Sequence, residues 1–407
     1  MERLKDIKAR QILDSRGHPT LSVEVFTTLF SGRFDVPSGA STGIHEAKEL
    51  RDQQLNKFNG LGVLKAIENI ERKILPALKN IIISDQKKID SILIELDGTE
   101  DKSNLGANAI IGVSIAAAKA AAKDKYQELF LYLRELADIK PSRRVPYLFI
   151  NLINGGKHSQ SNIAFQEYMI VPDTDNIEEA VQNSFQVKEN AKKIIIENFD
   201  KLSANIGDEG GFVPNCKNVI EPLEILRQSI KISGLLHKIR LALDIAASSF
   251  YKNNYYEIDG NKMLPEDLFL LYKDIVHNYD ILSIEDPFFE EDFINFADLR
   301  KIIPEVLVVG DDLTVSNKER LQRAIKNQSI SAIIIKPNQI GTLSETLETM
   351  KLARQNNIEL IISHRSGETN DDFIVDLAVA FGCFGLKLGA PQRGERVAKY
   401  NRLLEIF

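Results

Sequence analysis

Two cysteines, Cys216 and Cys383, are all that 407 residues contain. That is far too few for a disulfide framework and fits a reducing compartment. Their spacing is not that of a metal site, so both read as buried thiols. Long apolar runs are missing as well: no window approaches the roughly 20 apolar residues of a membrane span. The most apolar stretch, Ala107 to Ala122, is broken by Lys119 and rich in Ala, with Gly112 within it, the composition of a closely packed helix. The opening Met-Glu-Arg-Leu-Lys-Asp lacks the apolar core of a signal peptide, and a cytoplasmic location is expected. Basic excess is absent: a net charge of −7 argues against a general nucleic-acid binder. It leaves room for a local basic cluster around an anionic small molecule. There is no internal repeat, low-complexity tract or nucleotide-binding glycine fingerprint. Gly106, Gly112 and the Gly155-Gly156 pair match neither a Rossmann motif nor a P-loop.

What is present is an ordinary soluble composition, 43% hydrophobic and 27% charged. The length suits two domains, one of them a barrel of roughly 250 residues. From Leu241 to Ala390 one pattern repeats: a strand-length apolar run stops at a polar residue. The runs end on Asp244, Glu285-Asp286, Asp311-Asp312, Lys336, His364-Arg365 and Lys387, with helix-length segments between them. Alternating strand and helix implies a parallel sheet. Six such units behind another pair of strands point to a closed barrel with its active site at the carboxyl ends of the strands.

Ahead of the barrel, residues 3–30 hold two β-type runs around the turn Asp14-Ser-Arg-Gly-His-Pro, and a third short run follows. Val36-Pro-Ser-Gly-Ala-Ser-Thr-Gly-Ile is a small-residue loop. Leu61, Leu64, Ile67, Ile70, Ile74 and Leu78 recur at helical spacing. Further helices are predicted near 87–95, 107–123 and 127–136. Strands followed by helices make an α+β domain, assigned to residues 1–138, with the barrel over 139–407. The second domain should open with strands Tyr147–Leu152 and Ile163–Val171, then helices near 176–198 and 219–234. The fold class expected is α/β, a modified (β/α)8 barrel in ββαα(βα)6 order preceded by an α+β N-terminal domain.

Asp244, Glu285 and Asp311 each close a barrel strand. Three facing carboxylates raise one another's pKa unless a cation joins them. All-oxygen ligands with open coordination positions suit Mg²⁺; the alternative is pairing with nearby lysines and arginines. Lys336 stands across the rim. Unperturbed, a lysine is neutral in roughly one molecule in 2,500 at pH 7, about 4.6 kcal/mol uphill. A metal and Lys387 nearby would lower its pKa and make it a candidate general base; the alternative is a lysine that pairs with a substrate carboxylate. His364-Arg365-Ser366-Gly367 supplies a guanidinium, a hydroxyl and a glycine turn, a cradle for phosphate. Glu209 lies in the loop Gly207-Asp-Glu-Gly-Gly, and Gln166-Glu167 interrupts an apolar strand. Two acids facing a lysine across a metal fit removal of a proton next to a carboxylate and loss of a leaving group.

These stretches resemble the enolase family from about Ala9 to Glu405. The likeness rests on Ile12-Leu-Asp-Ser-Arg-Gly, Val36-Pro-Ser-Gly-Ala-Ser-Thr-Gly, Gly106-Ala-Asn-Ala-Ile, Asn154-Gly-Gly, Gln166-Glu167 and Gly207-Asp-Glu-Gly-Gly. It continues through Ser283-Ile-Glu-Asp-Pro-Phe, Gly310-Asp-Asp-Leu-Thr-Val, Asn338-Gln-Ile-Gly-Thr, Ser363-His-Arg-Ser-Gly-Glu-Thr and Ala398-Lys-Tyr-Asn. The pairing of a lysine or histidine base with Mg²⁺ is a general example for this superfamily. The resemblance implies reversible dehydration of 2-phosphoglycerate to phosphoenolpyruvate, with two Mg²⁺ per active site. Asp244, Glu285 and Asp311 would hold the first ion, and Ser41 would ligate the second. Lys336 would remove the C2 proton, and Glu209, helped by Glu167, would protonate the leaving hydroxyl. Gln166 and Glu167 would line the substrate site, Lys387 would neutralise the carboxylate, and Arg365 with Ser366 would bind the phosphate. His158 and His364 would close over the substrate. A homodimer is implied.

Departures from the family pattern avoid these residues. Ser249 replaces a usual Glu, Gly394 a usual Ser, and Lys157 with Ser159-Gln160 alters the loop around His158. The family's dimer contact pairs a Glu with an Arg where this chain has Ser22 and Glu405. That ion pair cannot form, although as a surface pair it would contribute little. Two other readings are a superfamily enzyme acting on an acid without phosphate, and a silent scaffold on the same fold. The Arg365-Ser366 turn and the Ser41 loop speak against the first, and the complete set of polar strand ends against the second.

Overall fold

The computed structural model describes residues 2–39, 43–140, 142, 144–156 and 163–407. Strands β1 (Asp6–Leu13), β2 (Pro19–Phe26) and β3 (Ser31–Asp35) form an antiparallel meander. The helix expected from Leu61 begins at Leu64 and is not regular. It runs as α1 (Leu64–Asn69), a π-turn over Ile70–Ile74, and α2 (Leu75–Leu78). Pro76 has no N–H for the Arg72 carbonyl, and the wider turn ahead of it makes room for its ring. Then come α3 (Gln86–Asp97), α4 (Ala107–Asp124) and α5 (Leu129–Leu136). Buried α4 lies against the meander through small residues. A Cβ at Gly32 would lie 2.2 Å from the Ala116 carbonyl oxygen, and one at Gly112 would lie 2.7 Å from Val23. Only glycine permits that approach.

The second unit opens with β4 (Tyr147–Asn154) and β5 (Glu167–Pro172), followed by α6 (Ile177–Asn198), α7 (Glu221–Ile232) and β6 (Ile239–Asp244). An unexpected three-stranded sheet comes next: β7 (Tyr251–Lys252), β8 (Tyr255–Ile258) and β9 (Asn261–Met263). Its turns are Asn253-Asn254 and Asp259-Gly260, all four at positive φ, the hairpin chemistry of two-residue loops. Regular alternation follows through α8 (Pro265–Asn278), β10 (Ile281–Glu285), α9 (Phe293–Ile302), β11 (Leu307–Gly310), α10 (Lys318–Asn327) and β12 (Ala332–Ile335). It ends with α11 (Pro337–Ile340), α12 (Leu343–Gln355), β13 (Glu359–Ser363), α13 (Phe373–Phe381), β14 (Gly385–Lys387) and α14 (Gly394–Ile406).

The barrel closes in the order β10-β11-β12-β13-β14-β4-β5-β6. Strand β5 runs antiparallel to both neighbours, and the other pairings are parallel. This is a modified (β/α)8 barrel in the expected order. Strand β5 starts at Glu167, not Ile163. Gly155 and Gly156 donate to the carbonyls of Gln166 and Ile163 at 2.9 and 2.8 Å, which folds residues 163–166 over the glycines instead of extending the strand.

Strand parity aims the site residues. Phe149, Met169, Ala242, Val309, Ile334 and Ile361 fill the barrel interior. Two residues on, the same face presents Asn151, Asp244, Asp311, Lys336 and Ser363; on reversed β5, Glu167 lies two residues before Met169. Strand β10 breaks parity, since interior Leu282 lies three residues before Glu285. Its register with β6 slips between Ile281 and Ser283, and this bulge turns Glu285 inward.

Candidate active site

Register brings the acids side by side: Asp244 pairs with Glu167 across β5–β6 and with Glu285 across β6–β10. All three are buried. Lys387, at the end of β14, reaches into the middle of them. Its Nζ donates to Asp244 Oδ2 at 2.9 Å and to both Glu285 oxygens at 3.0 Å, and it lies 3.3 Å from Glu167 Oε1. Burial works against the Lys387 charge, but these acids outweigh it and hold its pKa well above the lysine range. Burial and neighbouring Asp244 push Glu285 well above the carboxylate range.

Across the mouth, Lys336 Nζ contacts Asp311 Oδ2, and Gln339 donates to Asp311 Oδ1 at 3.0 Å. Burial disfavours the charged form of Lys336, yet Asp311 raises its pKa overall. The sequence leads one to expect a lowered value; the Asp311 carboxylate beside the amine reverses that direction. Both lysines at the mouth thus stand against carboxylates. Asp286, at φ 42, accepts from the Asp311 and Asp312 amides at 2.9 and 2.6 Å and ties the ends of β10 and β11 together.

A third group sits beside the nest. Burial and Glu209 push Glu167 well above the carboxylate range. Asn151 donates to Glu209 Oε2 at 3.0 Å, and His364 Nε2 stands 3.5 Å from the same oxygen. Burial lowers the pKa of His364 to about 4. Gln166 donates to Asp244 Oδ2 at 3.2 Å. Gln166, Glu167, Glu209, Asp244 and His364, with Lys336, Ser363, Arg365, Ser366 and Lys387, line one narrow cleft.

The N-terminal domain reaches the cleft through the phosphate turn. Ser38 and Gly367 exchange backbone hydrogen bonds at 2.8 and 2.9 Å. Ser15 Oγ donates to the Ser366 carbonyl at 3.1 Å. Arg365 is clasped by Glu46, with Nη1 and Nη2 at 3.0 and 2.9 Å from Glu46 Oε2, and donates to Asn338 Oδ1 at 3.2 Å.

Of the predicted site residues, Gln166, Glu167, Glu209, Asp244, Glu285, Asp311, Lys336, His364, Arg365, Ser366 and Lys387 gather at this one mouth. Ser41 and His158 fall outside the described residues, as do Lys157 and Ser159-Gln160. Among the described residues, Glu167–Glu209–His364 and Asp286–Asp311–Asp312 each bring ligand atoms within 4.8 Å of one another. Asp244, Glu285 and Asp311 do not form such a group among the described residues: Lys387 bridges Asp244 and Glu285, and Lys336 pairs with Asp311. Asn151, Glu46 and Arg396 were not predicted. Arg396 had a readable signal: it shares a helical stripe with Tyr400 and Leu403, a charge among buried positions.

A separate α+β unit over a modified barrel, whose mouth sets carboxylates from adjoining strands against two lysines, defines a two-domain barrel enzyme built for acid–base chemistry. Two family models match the chain, one described as "Enolase, N-terminal domain" over residues 4–133 and one as "Enolase, C-terminal TIM barrel domain" over 142–407. Among curated relatives named enolase, that of Methanocaldococcus jannaschii is 47% identical over 99% of this chain and 94% of its own length. That of Methanopyrus kandleri is 46% identical over 100% and 96%, and that of Corynebacterium kroppenstedtii 45% over 100% and 95%. The chain belongs to the enolase family and is a hydro-lyase.

Proposed function

We propose that the protein interconverts 2-phosphoglycerate and phosphoenolpyruvate in glycolysis and gluconeogenesis. The observation that carries this reading is the in-register row Glu167–Asp244–Glu285 around Lys387, facing Lys336 across a single cleft. Lys336 takes the proton from C2, and the electron pair of that bond becomes the C2–C3 double bond. Glu209 passes a proton to the C3 hydroxyl, which leaves as water, and Glu167 shares the proton with Glu209. The raised pKa of Glu167 supports an acid pair that retains a proton at neutral pH. Lys387 offsets the substrate carboxylate; Arg365 and Ser366 take the phosphate; Gln166 and His364, with His158, enclose the substrate. To serve as base, Lys336 must give up the Asp311 contact that keeps it charged.

The donor set fits a divalent ion. Glu285 is buried among like charges that raise its pKa, and the oxygens are hard ligands of the kind Mg²⁺ prefers. Asp244, Glu285 and Asp311 would hold one Mg²⁺ and Ser41 a second, and bound there the ions would offset charge developing on the substrate carboxylate. The reading extends to a cytoplasmic homodimer, acting on a small molecule and not on nucleic acid, with the domain division at residues 138/139. In the isolated chain Ser22 is buried and accepts from Arg33 at 3.0 Å, so assembly would use contacts other than Ser22 with Glu405.

Absorbance growth at the enol-phosphate band on adding 2-phosphoglycerate tests the reaction, with activity lost on chelation and restored by Mg²⁺. No absorbance change with Mg²⁺ present would refute it. Sedimentation at micromolar concentration tests the dimer, and a monomer there removes that part.

A further inference from the structure

Arg396 is wholly buried, and its guanidinium joins two segments of the site. Nη1 donates to His364 Nδ1 at 2.8 Å and to the Arg365 carbonyl at 2.7 Å. Nη2 donates to the Ser366 carbonyl at 2.8 Å and to the Asp208 carbonyl at 3.2 Å. A guanidinium has no acceptor and keeps its charge throughout the working pH range. The ring nitrogen facing it must therefore be the one without a hydrogen. The remaining nitrogen, Nε2, is the one 3.5 Å from Glu209 Oε2.

We propose that Arg396 is a positioning residue: it holds His364 as the neutral Nε2–H tautomer with that hydrogen turned toward Glu209, and ties the phosphate turn to the Glu209 loop. The groups facing His364 agree with this assignment. Besides Arg396 they are Glu209 and Glu368, and Glu368 is already engaged by Lys399 at 2.8 Å. A second proton on the ring would aim a donor at a donor and place two cations together in a buried site. The catalytic consequence rests on the acid role proposed for Glu209. A charged imidazolium beside that carboxyl would lower its pKa and strip the proton it must deliver, whereas a neutral donor leaves it in place.

Nitrogen NMR of the full-length chain, ¹⁵N-labelled at histidine and free of substrate, reads the tautomer directly, with His364→Gln identifying the signal. The expected spectrum shows Nδ1 unprotonated and Nε2 protonated from about pH 5 to about pH 8. In Arg396→Met the tautomers should mix and the ring should titrate nearer the ordinary value of about 6.5. That variant's kcat should gain a pH dependence with the same midpoint, while KM changes less. An Nδ1–H tautomer in the unaltered chain overturns the proposal whatever the enzyme turns over. So does an Arg396→Met spectrum with unchanged tautomer and titration. If Arg396→Met does not fold, the unaltered chain and Arg396→Lys, which keeps one donor, decide the matter. Nε2–H in a chain that fails to dehydrate 2-phosphoglycerate would leave this assignment standing and remove the proposed reaction instead.

Discussion

Lys387 and Lys336 end two strands of the same barrel, the first buried and the second largely so, and differ chiefly in company. Lys387 is surrounded by Asp244, Glu285 and Glu167, whereas among the described residues Lys336 forms an ion pair with Asp311 only. A cation held by three carboxylates keeps its charge when any one of them is neutralised. A cation held by one loses its support when that one is engaged elsewhere. The number of facing acids thus separates a fixed charge from a group that can be switched to a base.

Five substitutions would break or sharpen that contrast. Lys336→Ala should lower kcat by about 10⁴-fold with the fold and Mg²⁺ affinity retained, as measured by the phosphoenolpyruvate assay, circular dichroism and calorimetry. Turnover like that of the unaltered chain would erase the distinction between the lysines. Without divalent ions, Lys387→Met should cost about 3–5 kcal/mol in urea unfolding, because it strands three buried acids. Lys336→Met should cost only about 1–2 kcal/mol, since Gln339 still donates to Asp311. Equal losses would contradict the account.

On the Lys387 side, His364 titrates at about 4 in the folded chain, against about 6.5 unfolded. The unfolded state therefore binds the extra proton between those values. This part of the stability is complete above about pH 6.5 and falls by up to about 3 kcal/mol as the pH drops to 4. His364→Gln should flatten that portion of a stability–pH curve, and an unchanged slope would mean that the ring is not held neutral. The smallest effect is expected at the phosphate turn. Glu46 occupies Arg365, so Glu46→Gln should tighten inorganic phosphate by about fivefold, roughly 1 kcal/mol, in calorimetric titration. Weaker binding would show that Glu46 orients Arg365 instead of competing for it.

The strand ends were the readable part of the site. Asp244, Asp311 and Lys336 lie one period beyond apolar residues of their strands, so a pattern of two carries them into the barrel. Glu285 was predicted by position alone, and the bulge that aims it inward leaves no mark in Ile281-Leu-Ser-Ile. The hairpins after β6 could have been found from Asn253-Asn254 and Asp259-Gly260. The start of β5 could not, because it depends on hydrogen bonds from Gly155 and Gly156.

By itself the sequence determined the order of the barrel's strands and helices, the type of side chain at each strand end, and the family. These follow from hydrophobic periodicity and from motifs that are local in the chain. Tertiary structure alone decided which charges meet: Lys387 with three acids, Lys336 with one, Glu46 on Arg365 and Arg396 on His364. The partners in those contacts lie from 25 to 319 positions apart. Electrostatic energy depends on distance in space, and the closing of the barrel sets that distance.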